Sequence, residues 1–250
     1  MTIDHRATHC AAIALAAIAG VAVAADRQAA GFVEKFDTLD RARWFVSDGW
    51  SNGDYAVNDW RASQVRADRG LTLTLARNPA VAKGFSSGEV QSKTTYLHGY
   101  YEARFRAAPG SGVVTGFFAY TGPAFKTVWN EIDVEIIGRR PREVMFTYFV
   151  GPEKRSKIVQ LSFDATKEEH VYGFEWQAGA LRWFVDGRQV HASGPRDLAF
   201  PTLPQKIMVD MWGGRTLTEW LGPFDPAALP ITAHVSCIRY APARTATPGC

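Results

Sequence analysis

The stretch "TVWNEIDVEIIG", residues 127–138, sets Glu131, Asp133 and Glu135 at alternate positions with Ile132, Val134 and Ile136 between them. Alternation is the period of a half-buried strand, so Trp129, Glu131, Asp133 and Glu135 share one face while Asn130, Ile132, Val134 and Ile136 share the other. The apolar face belongs in a core. The opposite face lines up carboxylates roughly 6.5 Å apart, where like charges repel and raise one another's pKa.

Three chemistries could use such a row. A solvated acidic stripe fits poorly on a strand flanked by Trp129 and an apolar run. A calcium or magnesium site wants carbonyl and amide ligands from a flexible loop, which a regular strand does not supply. Glycoside hydrolysis uses the repulsion itself, because one carboxyl must protonate the leaving oxygen while the other attacks or activates water. Residues i and i+4 of a strand lie roughly 13 Å apart at Cα, whereas a retaining pair needs carboxyls about 5 to 5.5 Å apart. The two glutamates must therefore lean together across the shorter Asp133, which is placed to hold a proton as charge moves.

The elements that must position this row are strands. The chain has 250 residues, 46% hydrophobic and 21% charged, enough for a full core, and its 22 glycines, 13 prolines and 8 tryptophans suit short strands and turns better than helices. "LTLTLA" from Leu71, "SSGEVQSKTTY", "YYEARFRAA" and "REVMFTYFV" from Arg142 all alternate. "LRWFVDGRQVH" reads as a hairpin turning at Asp186-Gly187. "QKIMVDMWGG" and "AHVSCIRYAP" add two more strands. No helical period is long enough for a βαβ unit, and there is no repeat or linker, so the expectation is all-β: a single β-sandwich domain over 25–250.

The first residues stand apart. "CAAIALAAIAGVAVA" is too short to span a bilayer and ends in Ala22-Val23-Ala24, a small-x-small cleavage signal ahead of Ala25. Residues 1–24 are expected to be a secretory signal peptide, which makes the mature protein secreted or periplasmic with no membrane anchor after cleavage. Export leaves Cys237 and Cys250 in an oxidising compartment, where either a disulfide or a strand cysteine beside a terminal thiol is consistent with the residues. Six histidines, none clustered with other ligand types, supply no independent metal site, and no cofactor is implied. A net charge of +3 without a recognition motif, in an exported chain, argues against nucleic acid. Arg139, Arg140, Arg142, Lys154, Arg155 and Lys157 read as a solvated basic surface, although they would also suit an acid-bearing polysaccharide.

With these residues in view, "NEIDVEIIG" resembles the Glu-x-Asp-x-Glu signature of glycoside hydrolase family 16. The likeness runs through "WFVSDGWSNG", "FFAYTGP", "FEWQAGALRWFVDG" and "DMWGGRTLTEWLG", and within the family it looks like the bacterial lichenases and the rhizobial glycanases that trim succinoglycan. The resemblance implies a concanavalin-like jelly roll with a concave cleft for a polysaccharide, and a retaining double displacement. It implies Glu131 as nucleophile, Glu135 as acid/base and Asp133 as their assistant. Asn52, Glu89, Trp129, Trp212 and Trp220 match positions that contact sugars. Gln91 shares a strand face with Glu89, and Asp210 shares one with Trp212, which brings both into the candidate substrate site. Tryptophan offers a flat apolar surface to a pyranose, and carboxylates and amides take hydroxyls. Trp44, Trp176 and Trp183 read instead as core.

The chain departs from the lichenase pattern at several places. Gln91 stands for an arginine, Val90 and Phe149 for tyrosines, Thr147 and Asp210 for asparagines, and Asn58 and Ser87 for a cysteine pair. Ser236 stands where an aspartate often holds a structural calcium, so no metal is carried over. The expected activity is that of a monomeric endo-β-glycanase on a glucose-containing polysaccharide. A transglycosylase shares the covalent intermediate, and a lectin-like module shares the fold but has no use for the repelling acids.

Overall fold

The computed structural model describes residues 30–194 and 199–250, so the leader expected over 1–24 lies outside the described residues. The strands run β1 Phe32–Glu34, β2 Trp44–Val46, β3 Asp59–Trp60, β4 Val65–Ala67, β5 Leu71–Arg77, β6 Phe85–Ser87, β7 Glu89–Tyr96, β8 Gly99–Arg106 and β9 Val113–Thr121. They continue as β10 Asn130–Ile137, β11 Glu143–Val150, β12 Glu153–Gln160, β13 His170–Gln177, β14 Ala180–Val185, β15 Arg188–Ala192, β16 Gln205–Gly213 and β17 Ile231–Ala241. Among the described residues the one α-helix is α1, Thr218–Leu221.

Two sheets form a jelly-roll-like sandwich. One has seven strands in the order β12-β11-β10-β9-β16-β7-β2, and the other has ten, built on β15-β14-β13-β8-β17-β5-β6-β3 with β1 on β17 and β4 on β5. The alternation seen in the sequence decides which side of β10 faces inward. Ile132, Val134 and Ile136 are fully buried between the sheets, together with Phe117, Val144, Phe146, Val209 and Met211 from the same sheet. Burying each such side chain stabilises the fold by about 1.5–3 kcal/mol. A slip of one residue would drive the acids into this core, so the register is firmly specified.

Phe117 meets Phe174 of the opposite sheet at 5.9 Å between ring centroids, and Phe174 stacks on Tyr101 at 4.7 Å. Trp44, Trp176 and Trp183 are all buried, as expected of core residues. The expected hairpin joins β14 to β15, with Asp186 at φ 48° and Gly187 at φ 77°. Both torsions are left-handed, as a two-residue turn matching strand twist requires. Asp186 tolerates this because its carboxylate accepts from the Val171 N–H at 2.9 Å and contacts His170 Nδ1 at 2.8 Å.

One expectation needs correction. "SSGEVQSKTTY" is not one strand: Ser86 and Ser87 end β6 in the larger sheet, and the chain crosses at Gly88 into β7 of the other. A Cβ at Gly88 would meet the Gln64 carbonyl oxygen at 2.6 Å, so the crossing demands glycine. The basic stretch around Lys154 is exposed, as a solvated surface should be, and residues 153–160 form β12, the edge of the seven-stranded sheet. Its charges suit an edge that must not pair with another chain.

Cys237 and Cys250 are joined in a disulfide with Cα atoms 5.6 Å apart, which settles the pairing. The tail is further held by Gly249 and Cys250 N–H groups donating to buried Glu102 at 2.7 and 2.6 Å. Ser236 donates to Glu169 at 2.8 Å, and His234 Nδ1 meets the other oxygen of the same carboxylate at 2.6 Å. A carboxylate already engaged in this way does not fit a calcium site.

Candidate active site

The outer face of the seven-stranded sheet lines a cleft of about 560 Å³. Register places the acids along its floor. Glu131 lies between Tyr120 of β9 and Phe149 of β11, Asp133 between Phe118 and Thr147, and Glu135 between Gly116 and Met145. Past β9, Asp210 of β16 lies opposite Gly116, and Glu89 of β7 lies opposite Asp210. One transverse row therefore reads Glu89, Asp210, Gly116, Glu135. Gly116 leaves a gap between the two carboxyl groups, since a Cβ there would sit 2.8 Å from Asp210 Oδ1.

The three acids of β10 differ in their surroundings. Glu131 Oε2 accepts a hydrogen bond from Trp129 Nε1, and Trp129 stacks on Phe149 at 4.4 Å and 13°. Burial pushes the Glu131 carboxyl up to about 7, against the lowering pull of Trp129, Asp133 and the Lys154 ammonium. Asp133 is 4% exposed, and burial, followed by the charges of Glu131 and Glu135, holds it well above the ordinary aspartate range. Their hydrogen bond lowers Glu131 and raises Asp133, as it does when protonated Asp133 donates to ionised Glu131. Glu135 is pushed up to about 8, first by burial and then by the Glu131 charge, with Lys154 pulling it down. All three carboxyls are held above their ordinary ranges, and Glu131, at about 7, is more readily ionised than Glu135, at about 8. The three titrate as one coupled system.

Every residue expected to contact substrate lines the same cleft: Asn52, Glu89, Gln91, Trp129, Asp210, Trp212 and Trp220. Asn52 is fixed by the Trp60 indole N–H, which donates to its Oδ1 at 3.0 Å. Gln91 donates to Glu89 Oε1 at 2.7 Å and to Ser47 Oγ at 3.1 Å, and Ser47 in turn donates to Glu89. These donors favour an ionised Glu89, but burial prevails and pushes it up to about 7.

The tryptophans divide. Trp129 is 37% exposed, and it is held by Glu131 as well as open to the cleft. Trp212 is only 8% exposed, packed in a small cluster with Trp60 and Leu221, so core packing claims most of its surface even though it borders the cleft. Trp220 lies 6.0 Å from Trp212 on α1, which Arg139 and Arg140 anchor by donating to the Trp220 carbonyl at 3.1 and 3.4 Å. Two of the basic residues thus have structural partners.

Sequence reasoning missed Trp50, Tyr55, Tyr120 and Phe118 and read Lys154 only as part of a basic surface, though all five line the cleft. The alternation of Gly116, Phe118 and Tyr120 within "VVTGFFAYT" could have placed three cleft positions. Lys154 could not be found locally, because it reaches the cleft only by pairing opposite Phe149, over whose ring its ammonium sits at 5.5 Å.

Known proteins resemble this chain in sequence and fold. The profile of glycosyl hydrolases family 16 matches residues 52–227. A beta-glucanase of Bacillus subtilis is 36% identical over 220 residues, covering 88% of this chain and 89% of that protein. A beta-glucanase of Paenibacillus macerans is 35% identical over 210 residues, covering 84% and 87%. Among solved structures, a prokaryotic beta-1,3-1,4-glucanase (lichenase) derived from a mouse hindgut metagenome superposes with a TM-score of 0.81 at 34% identity, covering 85% of this chain and 99% of that one. The family match and the relatives agree with the two-sheet architecture: the chain belongs to glycosyl hydrolases family 16 and is a retaining glycoside hydrolase.

Proposed function

We propose that the protein is an exported endo-β-glucanase that hydrolyses glucose-containing β-linked polysaccharide, with Glu131 as nucleophile and Glu135 as acid/base. The observation that carries the assignment of roles is the asymmetry along β10. Both glutamates are raised by burial, but Glu131 is supplied with two hydrogen-bond donors that favour its anion, whereas Glu135 has none and is raised further by the Glu131 charge.

The reaction follows from these charge states. Glu135 gives its proton to the glycosidic oxygen as Glu131 attacks the anomeric carbon from the opposite face, forming a glycosyl ester and releasing the leaving sugar. The Glu131 charge is then gone, so Glu135 becomes the stronger acid and remains ionised. In that state it takes a proton from water, which attacks the same carbon and returns Glu131 to its carboxylate, with net retention. Asp133 gives its hydrogen bond to Glu131 while that group is an anion.

Aromatic side chains flank the acids on both sides, Trp129 and Phe149 on the β10–β11 side and Tyr55 and Trp220 beside Trp212 of β16, which suits a chain bound in its middle. The similarity to beta-glucanases supports a β-glucan substrate. The replacements at Gln91, Phe149, Thr147 and Asp210 leave room for a succinoglycan-type polysaccharide in place of mixed-linkage glucan. Purified protein should release reducing ends from one of barley β-glucan, laminarin and succinoglycan, with product masses naming the linkage. Release from none of them, or transfer to an added oligosaccharide in place of hydrolysis, would refute the proposal. Export predicts a mature N-terminus at Ala25 or within a residue or two, and secreted material beginning at Met1 would contradict it.

A further inference from the structure

A second carboxyl pair on the cleft floor takes no part in this mechanism. Asp210 and Glu89 lie directly opposite each other on β16 and β7, 4% and 1% exposed. Facing carboxyls on neighbouring strands are close enough for strong repulsion in a buried setting. Across the gap left by Gly116 stands Glu135, with Asp133 and Glu131 further along the same strand. The Tyr55 phenol lines the same cleft, its ring 5.4 Å from Trp212, and burial above all keeps it protonated. The cations are remote from the pair: Lys206, on β16 itself, is turned toward the Phe125 ring at 5.2 Å, and Lys154 is on the edge strand.

The two members are not equivalent. Glu89 receives the Ser47 hydroxyl and the Gln91 amide on Oε1, whereas Asp210 receives no side-chain donor and only the backbone N–H of Gly116. We infer that the pair carries one proton, seated on Asp210, so that Asp210 donates to one hydroxyl of a bound sugar while Glu89 accepts from a neighbouring hydroxyl. Burial first, then the charge of Glu89 and those of Glu135 and Glu131 when ionised, hold the Asp210 carboxyl well above the aspartate range, against the lowering pull of the Gly116 N–H. An acid beside an anion reads a vicinal diol of an uncharged sugar, and it disfavours a residue carrying a carboxylate there. This assignment deepens the proposed β-glucanase reading and rests on it for the identity of the ligand.

The test has two arms. In protein carrying carboxyl-13C aspartate, one carbon signal absent from Asp210→Asn should keep the neutral-acid shift at pH 7. If that signal instead titrates in the ordinary aspartate range, the inference is overturned. On barley β-glucan, KM of the wild type should rise about tenfold per pH unit once Asp210 loses its proton, while in Asp210→Asn, whose amide is a permanent neutral donor, KM should not change over that range. Equal pH dependence of KM in the two proteins would overturn it as well. Absence of turnover on any β-glucan would count against the function, and the carbon titration would still decide the inference.

Discussion

Neutralising Glu131 should make Glu135 a stronger acid. A retaining pair holds its carboxyls about 5.5 Å apart, and at an effective dielectric of about 20 a full negative charge at that distance costs about 3 kcal/mol. This corresponds to about two pH units in the titration of its neighbour. Glu135 is pushed up to about 8, with burial first and the Glu131 charge second among the causes. Removing that charge should bring its titration down to about 6, the remainder being burial that the change leaves in place. The sign is fixed: a like charge favours the neutral form, so its loss lowers the pKa. Carboxyl-13C glutamate and NMR titration of Glu131→Gln, with Glu135 assigned by the signal lost in Glu135→Gln, would measure it. The same fall should accompany formation of a glycosyl ester on Glu131, and it would convert Glu135 from acid to base within one turnover. A Glu135 titration that stays near 8 in Glu131→Gln would refute the electrostatic account, because burial alone would then explain the raised value.

Other consequences follow from particular contacts. Gly116→Ala puts a methyl 2.8 Å from Asp210 Oδ1 and should lower kcat/KM roughly ten- to a hundredfold, as expected of about 1–3 kcal/mol of overpacking; a wild-type value would show that the gap is idle. Cys250→Ser should cost on the order of 3 kcal/mol in urea unfolding, since the bridge closes a loop of sequence separation 13, and should spare activity because the bridge lies on the larger sheet; an unchanged midpoint would contradict this. EDTA should leave Tm where it is, given that Glu169 is occupied by Ser236 and His234, and a drop restored by calcium would show the fit argument to be wrong.

Alternation was enough to read the strand that bears the acids, because Ile132, Val134 and Ile136 can satisfy their burial in only one orientation, and that orientation turns Glu131, Asp133 and Glu135 outward. The Asp186-Gly187 turn was legible for a similarly local reason, the torsions that a short hairpin demands. What local pattern could not supply was adjacency. Glu89 and Asp210 are far apart in sequence and become neighbours only through the pairing of β7 with β16. Lys154 reaches the cleft through the pairing of β12 with β11, and β12 itself was hidden because an exposed edge strand has no buried face to alternate against. The break at Gly88 was invisible for another reason: it is forced by the Gln64 carbonyl, a contact between segments whose approach no local spacing encodes. Trp212 shows a further limit, since strand parity assigns a side chain to a face but does not tell how much of that face the loops and α1 then cover.

The central claim is that Glu131 makes the covalent bond and Glu135 moves the proton. It is tested most directly by inactivating the enzyme with a 2-deoxy-2-fluoro-β-glycoside bearing a good leaving group, digesting it, and locating the label by mass spectrometry. The account predicts a single fluoroglycosyl ester on Glu131 within "TVWNEIDVEIIG", formed also in Glu135→Ala because a good leaving group needs little protonation. Label on Glu135 in place of Glu131 would contradict it.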